Sequence, residues 1–130
     1  MLAILLCEQI ILEQGSGKKT LVGVFEDLTS QVEPLVKNIG FFARMTDLEG
    51  HYRFAIKVVR ISAEGEVVVA NGDIPVEQPI TDRLVNLDIA LNLPPTVFPT
   101  FGKYEFQLFS NDMYLGRAVL NCRKLEAANR

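Results

Sequence analysis

Apolar and polar residues alternate along most of this chain of 130 residues, and the alternation predicts β-strands. The clearest case is Arg83–Leu93, in which every second position from Val85 to Leu93 is apolar. A period of two gives a strand one buried and one exposed face. Eight such segments are predicted: Ala3–Leu12, Lys19–Asp27, Ile39–Thr46, His51–Ile61, Glu66–Asn71, Arg83–Leu93, Lys103–Phe109 and Met113–Cys122.

The last two segments predict a β-hairpin. Tyr104, Phe106 and Leu108 alternate with polar residues, and Ser110-Asn111-Asp112 then interrupts the pattern. Asparagine and aspartate tolerate the left-handed backbone that tight hairpin turns require. We therefore expect the chain to reverse direction at this point.

The spacing of the strands predicts the fold class. No segment sustains a helical period, and glycine, proline and asparagine fill the gaps between short strands. This pattern indicates an all-β protein, an antiparallel β-sandwich of about eight strands with an immunoglobulin/fibronectin-like or C2-like topology. We expect residues 1–122 to form a single sandwich domain and residues 123–130 to form a polar C-terminal tail.

Alternate loops of an antiparallel sandwich gather at the same end of the domain. The odd-numbered gaps would form an acidic end, whereas the even-numbered gaps would form an apolar end rich in proline. The apolar end would hold Pro34-Leu35-Val36 together with Pro94–Phe101. The acidic end would hold Glu13, Lys18, Asp47, Glu49, Asp73, Glu77, Asp82 and Asp112.

The segment Pro94–Phe101 carries the candidate contact residues. Val97, Phe98 and Phe101 are large apolar residues in a gap where polar turn residues would suffice. One interpretation is that they fold back and plug the open end of the sandwich. The other is that they form a contact surface for another protein, because prolines reduce the entropy lost on binding and aromatic residues dominate interface energetics.

Composition narrows the classes of function. The net charge of −3 and the scattered basic residues argue against a nucleic-acid partner. The apolar start lacks a basic leader and a cleavage site, and Glu8 and Gln9 interrupt it, so it predicts a buried first strand and not an export signal or a membrane span. We expect a cytoplasmic protein in which Cys7 and Cys122 are buried, reduced thiols, although a bridge between the two terminal strands is geometrically possible.

Three motifs that suggest chemistry have simpler structural explanations. Gly15–Thr20 departs from the phosphate-binding loop at Leu12 and Lys19 and precedes a strand, so it is predicted to be a hairpin loop. His51 is the only histidine, and no catalytic triad or metal site can be built around it. The acidic loops lack the closely spaced aspartates of calcium-binding sandwiches. We expect no catalytic residue, no cofactor and no metal.

Several segments resemble a family of small bacterial β-sandwich proteins of unknown function. The resemblance rests on Leu5-Leu6-Cys7-Glu8, Lys19–Phe25, Phe42-Ala43-Arg44, Leu115-Gly116 and the pattern from Phe98-Pro99 through Gly102 and Tyr104 to Phe106. It covers nearly the whole chain and implies a sandwich, but it assigns no activity or ligand to any residue. The glycine–tyrosine–phenylalanine strand is also similar to those of fibronectin-III and immunoglobulin-like modules.

Two functions are consistent with this sequence. The first is a non-enzymatic protein-interaction module that binds another protein, or a second copy of itself, through an exposed edge strand or through Val97, Phe98 and Phe101. The alternative is a small-ligand or calcium-binding β-sandwich that uses the acidic end or the space between the sheets. An enzyme is not expected, because the paired, pKa-tuned groups that catalysis needs are not identifiable.

Overall fold

The computed structural model of the chain describes residues 2–46, 53–74 and 87–125. The elements formed by these residues are all β-strands, which confirms the predicted fold class. They are β1 (Leu2–Leu12), β2 (Lys19–Val24), β3 (Asp27–Ser30), β4 (Leu35–Lys37), β5 (Gly40–Met45), β6 (Phe54–Ser62), β7 (Gly65–Ile74), β8 (Leu87–Asn92), β9 (Thr96–Phe98), β10 (Gly102–Ser110) and β11 (Met113–Lys124).

The strands form two main sheets and a short ribbon. One sheet has the order β2-β1-β5-β8, and the other has the order β3-β11-β10-β6-β7. The remaining strands, β4 and β9, pair with each other. All described pairs are antiparallel except β3 and β11, which run parallel. The predicted sandwich is therefore confirmed, with one parallel pair added to it.

The main core lies between the two large sheets. β5 contributes Phe41, Ala43 and Met45, which alternate with residues on the outer face as strand geometry requires. β10 contributes Tyr104, Phe106 and Leu108 from the facing sheet, and all three are fully buried. For β10, the alternation read from the sequence thus identifies the core face.

The Tyr104 side chain forms hydrogen bonds with the backbone of the segment that precedes β10. Its hydroxyl donates a 2.7 Å hydrogen bond to the carbonyl of Thr100, and the Thr100 N–H donates to the same hydroxyl at 3.3 Å. A tyrosine near the start of this strand, bonded to backbone a few residues upstream, is typical of the tyrosine corner of immunoglobulin-like sandwiches. The choice between immunoglobulin-like and C2-like topologies stays a prediction, and this contact favours the former.

Each predicted strand overlaps one of the long strands, and three short strands are added to them. The predicted strand Lys19–Asp27 is wrong in one respect, because the chain changes sheets within it. The Phe25 N–H donates to Leu6 in the first sheet, whereas the Glu26 carbonyl accepts from Asn121 in the second. The final strand, β11, also extends to Lys124, two residues into the predicted tail.

The predicted hairpin between β10 and β11 is confirmed. Ser110 pairs with Met113, so Asn111 and Asp112 are the two turn residues. Both have positive φ angles, 49° and 68°, as a type I′ turn requires. The turn is held against the start of β6, because Asn111 and Arg53 exchange two hydrogen bonds of 2.8 Å.

The hairpin of β1 and β2 packs against the outer face of its own sheet. Cys7, Ile10 and Phe42 form a second buried cluster there, with Leu21 and Ala90 packed against it. Residues three apart in a regular strand point to opposite faces of the sheet. Since Cys7 and Ile10 belong to the same cluster, the regular alternation of β1 is interrupted between them. Gly23, in the partner strand, has a φ of +65° at this point. The Asn92 side chain secures the hairpin by bonding both the N–H and the carbonyl of Ile10.

Candidate protein-contact surface

The ribbon of β4 and β9 lies at the predicted apolar end of the sandwich. Leu35 pairs with Phe98, and Val36 pairs with Val97, so the prediction that Pro34–Val36 and Pro94–Phe101 share one end is confirmed. The ribbon continues from β8, since the Leu93 N–H donates a 2.8 Å bond to the Ile39 carbonyl. Alternation within three residues then points Thr96 and Phe98 inward and Val97 outward.

The three predicted contact residues occupy different environments. Phe98 is fully buried, with its ring 4.9 Å from that of Tyr104 in an edge-to-face arrangement. Phe101 is partly buried against the core. Val97 is 49% exposed. Phe98 therefore plugs the end of the sandwich, as the first interpretation predicts. Val97 is the predicted contact residue that stays accessible to a partner.

Val36 adds to the accessible apolar surface beside Val97. It is 59% exposed and lies directly across the ribbon from Val97, on the same face. Directly opposed residues of an antiparallel pair have side chains about 4.5–5.5 Å apart. Val36 is not among the predicted contact residues, although the predicted grouping of Pro34-Leu35-Val36 with Pro94–Phe101 places it at the same end of the sandwich.

Val97 also lines an open cleft between the two sheets. The cleft has a volume of about 480 Å³ and lies between the inner face of β6 and β7 and the segment from β8 to β9. Its described walls are mostly apolar, and Asp73 is the one charged residue among them. The walls consist of Ile56, Val58, Val69, Ala70, Asn71, Gly72, Asp73, Ile74, Leu91, Leu93, Pro94, Pro95, Thr96 and Val97.

β7 forms the edge of its sheet beside this cleft. Within the described ranges it pairs with β6 alone, and its Val67 and Val68 are both about half exposed. Natural edge strands are usually protected by lysine, proline or short length. β7 has ten residues and contains neither lysine nor proline, although a bulge interrupts its pairing opposite Val58 and Val59. Its protection is limited to this bulge and the charged residues Glu66 and Asp73.

A second cavity lies at the predicted acidic end. It has a volume of about 350 Å³ and is lined by Asp73 and Asp112, as the grouping of loops predicts. Lys57 lines it as well, with its ammonium group 5.2 Å from the centre of the Phe109 ring. The prediction is wrong for Glu13 and Lys18, because Lys18 lies with Arg44 and Asp88 on the outer face of the first sheet and Glu13 is bonded to Lys18. The predicted members Asp47, Glu49, Glu77 and Asp82 lie outside the described residues, as does His51. In the described part of the chain, no three His, Cys, Asp or Glu side chains are grouped to hold a metal ion.

The buried or strongly paired charges elsewhere hold strands together. On the outer face of the first sheet, Arg44 forms a two-pronged ion pair with Asp88 at 2.8 and 2.9 Å, and Lys19 lies 3.5 Å from the same carboxylate. The Arg44 guanidinium holds the pKa of the Asp88 carboxyl below its ordinary value. Because Lys19 belongs to the hairpin and Asp88 to β8, this network fixes the hairpin to the sheet.

A second paired carboxylate lies on the outer face of the other sheet. Glu105 is buried, and its two oxygens contact Gln107 at 3.0 Å and Arg117 at 3.3 Å. Gln107 also donates to Glu66 on β7 at 3.2 Å. These contacts link neighbouring strands across the sheet and leave Glu105 paired on both oxygens.

The loops and cysteines have the structural roles that the sequence predicts. Gly15–Lys18 connects β1 to β2 as a hairpin loop, with the Glu13 N–H bonded to the Lys18 carbonyl. Cys7 and Cys122 are both buried free thiols. Burial raises the pKa of the Cys122 thiol to about 11. Within the described residues no helix has the length and apolar character needed to cross a membrane.

Comparison with known proteins gives a family for this chain. The family model described as "Family of unknown function (DUF6941)" matches residues 2–123. The match extends from the start of β1 almost to the end of β11. No curated protein matches the chain.

Proposed function

Because the chain belongs to DUF6941, a family of unknown function, we propose its role from the surface itself. We propose that it is a non-enzymatic protein-interaction module that binds a partner protein at the cleft between β7 and β8. The observation that carries the proposal is the half-exposed Val97, which lies at the cleft wall and opposite the exposed Val36. Apolar side chains left accessible beside an apolar groove are typical of protein-binding surfaces.

The rigidity of the surface supports this proposal. Val97 is flanked by the fully buried Phe98 and the nearly buried Thr96, so its position is fixed by the core. Pro94 and Pro95 precede it and restrict the backbone of the same wall. A partner that buries this surface would therefore lose little conformational entropy in ordering it.

The cytoplasm is the proposed site of action. Cys7 and Cys122 are unpaired, and free buried thiols are usual in compartments that keep cysteine reduced. Two cysteines in separate clusters of the same domain thus support an intracellular role.

A charge placed at Val97 tests the proposal. We would use the purified chain, Val97→Asp and the control Val24→Asp, which changes a valine of similar exposure (54%) on β2. A protein captured from the native cells would be purified and its affinity for each variant measured by calorimetry. We expect Val97→Asp to weaken binding at least about tenfold, the effect of losing roughly 1.4 kcal/mol, and Val24→Asp to have no effect. Equal affinity for all three chains would contradict the proposal.

A further inference from the structure

We propose that the partner adds an extended strand to the edge of β7 that no other described strand occupies, with apolar side chains at alternate positions and a lysine or arginine beside Asp73. This inference rests on the proposed function and specifies the chemistry of the partner. Strand addition is a common way of recognising peptides, in which main-chain hydrogen bonds give affinity and adjacent pockets give specificity.

The backbone of β7 supplies the first requirement. In an antiparallel pair, successive residues direct their N–H and C=O groups alternately toward and away from the neighbouring strand. β6 is the one partner of β7 within residues 2–46, 53–74 and 87–125. Alternate backbone groups along these ten residues are thus directed to the edge of the sheet, where an added strand would bond them.

The cleft supplies the second requirement, which is space for side chains. Alternate residues of an added strand would point to the inner side of the sheet, where the cleft walls include Val69, Ile74 and Leu91. Gly72 widens this region, because a Cβ added there would meet no atom within 4 Å. Apolar side chains at every second position of the partner would fill this space.

Charge identifies the partner further and argues against a second copy of the chain. The charged residues of β7 are Glu66 and Asp73, both acidic, and Asp73 is the one charge among the described walls of the cleft. Asp73 also lines the neighbouring cavity, together with Asp112 and Lys57. Pairing β7 with a second β7 would bring only carboxylates together, and like charges on paired strands are destabilising. A basic residue in the added strand would neutralise Asp73.

Two labelled peptides of ten residues test this inference. One alternates valine with lysine, and the other alternates valine with glutamate. We expect fluorescence anisotropy to show at least tenfold tighter binding of the lysine peptide. Asp73→Asn should reduce this preference, and Asp73→Lys, which reverses the charge on the same face of β7, should reverse it. The control Val22→Lys places the same charge on β2, an edge strand of the first sheet, and should change neither affinity.

Amide hydrogen exchange supplies a second readout. We expect alternate amides of β7 to exchange rapidly in the free protein and to become protected by the lysine peptide. Protection of every β7 amide in the free protein would overturn the inference, because the edge would already be covered by the chain itself. Absence of binding by the lysine peptide, or binding unaffected by Asp73→Lys, would also overturn it.

The two proposals fail in distinguishable ways. If Val97→Asp abolishes binding of the captured protein while that protein leaves β7 amides unprotected, the interaction surface stands and strand addition is wrong. If binding of the captured protein does not depend on Val97, the proposed function itself is wrong.

Discussion

Gly40 is the position at which the packing of the first sheet is most sensitive to one added methyl group. It starts β5 beneath the β1–β2 hairpin, where an added Cβ would lie 2.6 Å from the Cys7 Sγ, 3.1 Å from the Ile10 Cγ1 and 3.4 Å from the Cys7 carbonyl. Favourable contacts between nonbonded heavy atoms are about 3.5–4.0 Å long. Gly40→Ala therefore forces Cys7 and the hairpin outward.

The cost of this substitution should be purely steric. The backbone of Gly40 lies outside the left-handed region, so alanine can adopt it without strain. Overpacking a well-packed site costs about 1–3 kcal/mol. Because the shortest contact is with the Sγ of the fully buried Cys7, which has little room to move, we expect Gly40→Ala to lower the free energy of unfolding by about 2–3 kcal/mol. Urea denaturation measures this change.

A double-mutant cycle with Cys7→Ala separates this clash from other effects. Removing the sulfur eliminates the 2.6 Å contact and leaves the contact with Ile10. Gly40→Ala should then cost about 1–2 kcal/mol less than in the unmodified chain. The matched control is Gly72→Ala, where an added Cβ meets nothing within 4 Å, and it should change stability by less than about 0.5 kcal/mol. An equal cost at the two glycines, or at Gly40 in both backgrounds, would refute the reasoning.

Three further predictions follow from burial and charge. Phe98→Ala should lower the free energy of unfolding by about 3–5 kcal/mol, whereas Val97→Ala should change it by less than about 0.5 kcal/mol. If urea denaturation shows that both variants lose a similar amount of stability, the assignment of Phe98 to the core is contradicted. Burial raises the pKa of the Cys122 thiol from 9.0 to about 11, so the unfolded chain loses this proton at a lower pH than the folded protein. The free energy of unfolding should therefore fall by about 1.4 kcal/mol per pH unit between these two pKa values. Cys122→Ala should remove this part of the fall in stability at alkaline pH. The stability contribution of Asp88 changes with pH in the opposite direction, since Arg44 lowers the pKa of its carboxyl. This contribution is present above about pH 4 and is lost on acidification. Asp88→Asn should therefore make the free energy of unfolding less dependent on pH in the acidic range.

The sequence predicts the long strands because each is a run of strand-favouring residues long enough to recognise, and in the clearest of them alternation also defines the buried face. β10 is an example, since Tyr104, Phe106 and Leu108 all reach the core. Strands of three or four residues contain too few alternations to be recognised, and β3, β4 and β9 were missed for that reason. Their existence depends on pairing partners that are distant in sequence, such as Leu35 with Phe98.

The candidate surface was predicted in part. The proline-rich segment was found because it holds large apolar residues in a gap, but composition alone could not decide which of them is buried. Packing of Phe98 against Tyr104 decides this, and the alternation within β9 then leaves Val97 outside. The cleft and the edge of β7 depend on how the two sheets align, which local patterns do not specify.

The most direct test of the interaction surface is a photo-reactive amino acid introduced at Val97 in cells that make this protein. The same residue at Val24, a similarly exposed valine on β2, provides the control. The proposed function predicts a cross-link to another protein from position 97 and none from position 24. Absence of a cross-link at position 97, or the same products from both positions, would contradict it.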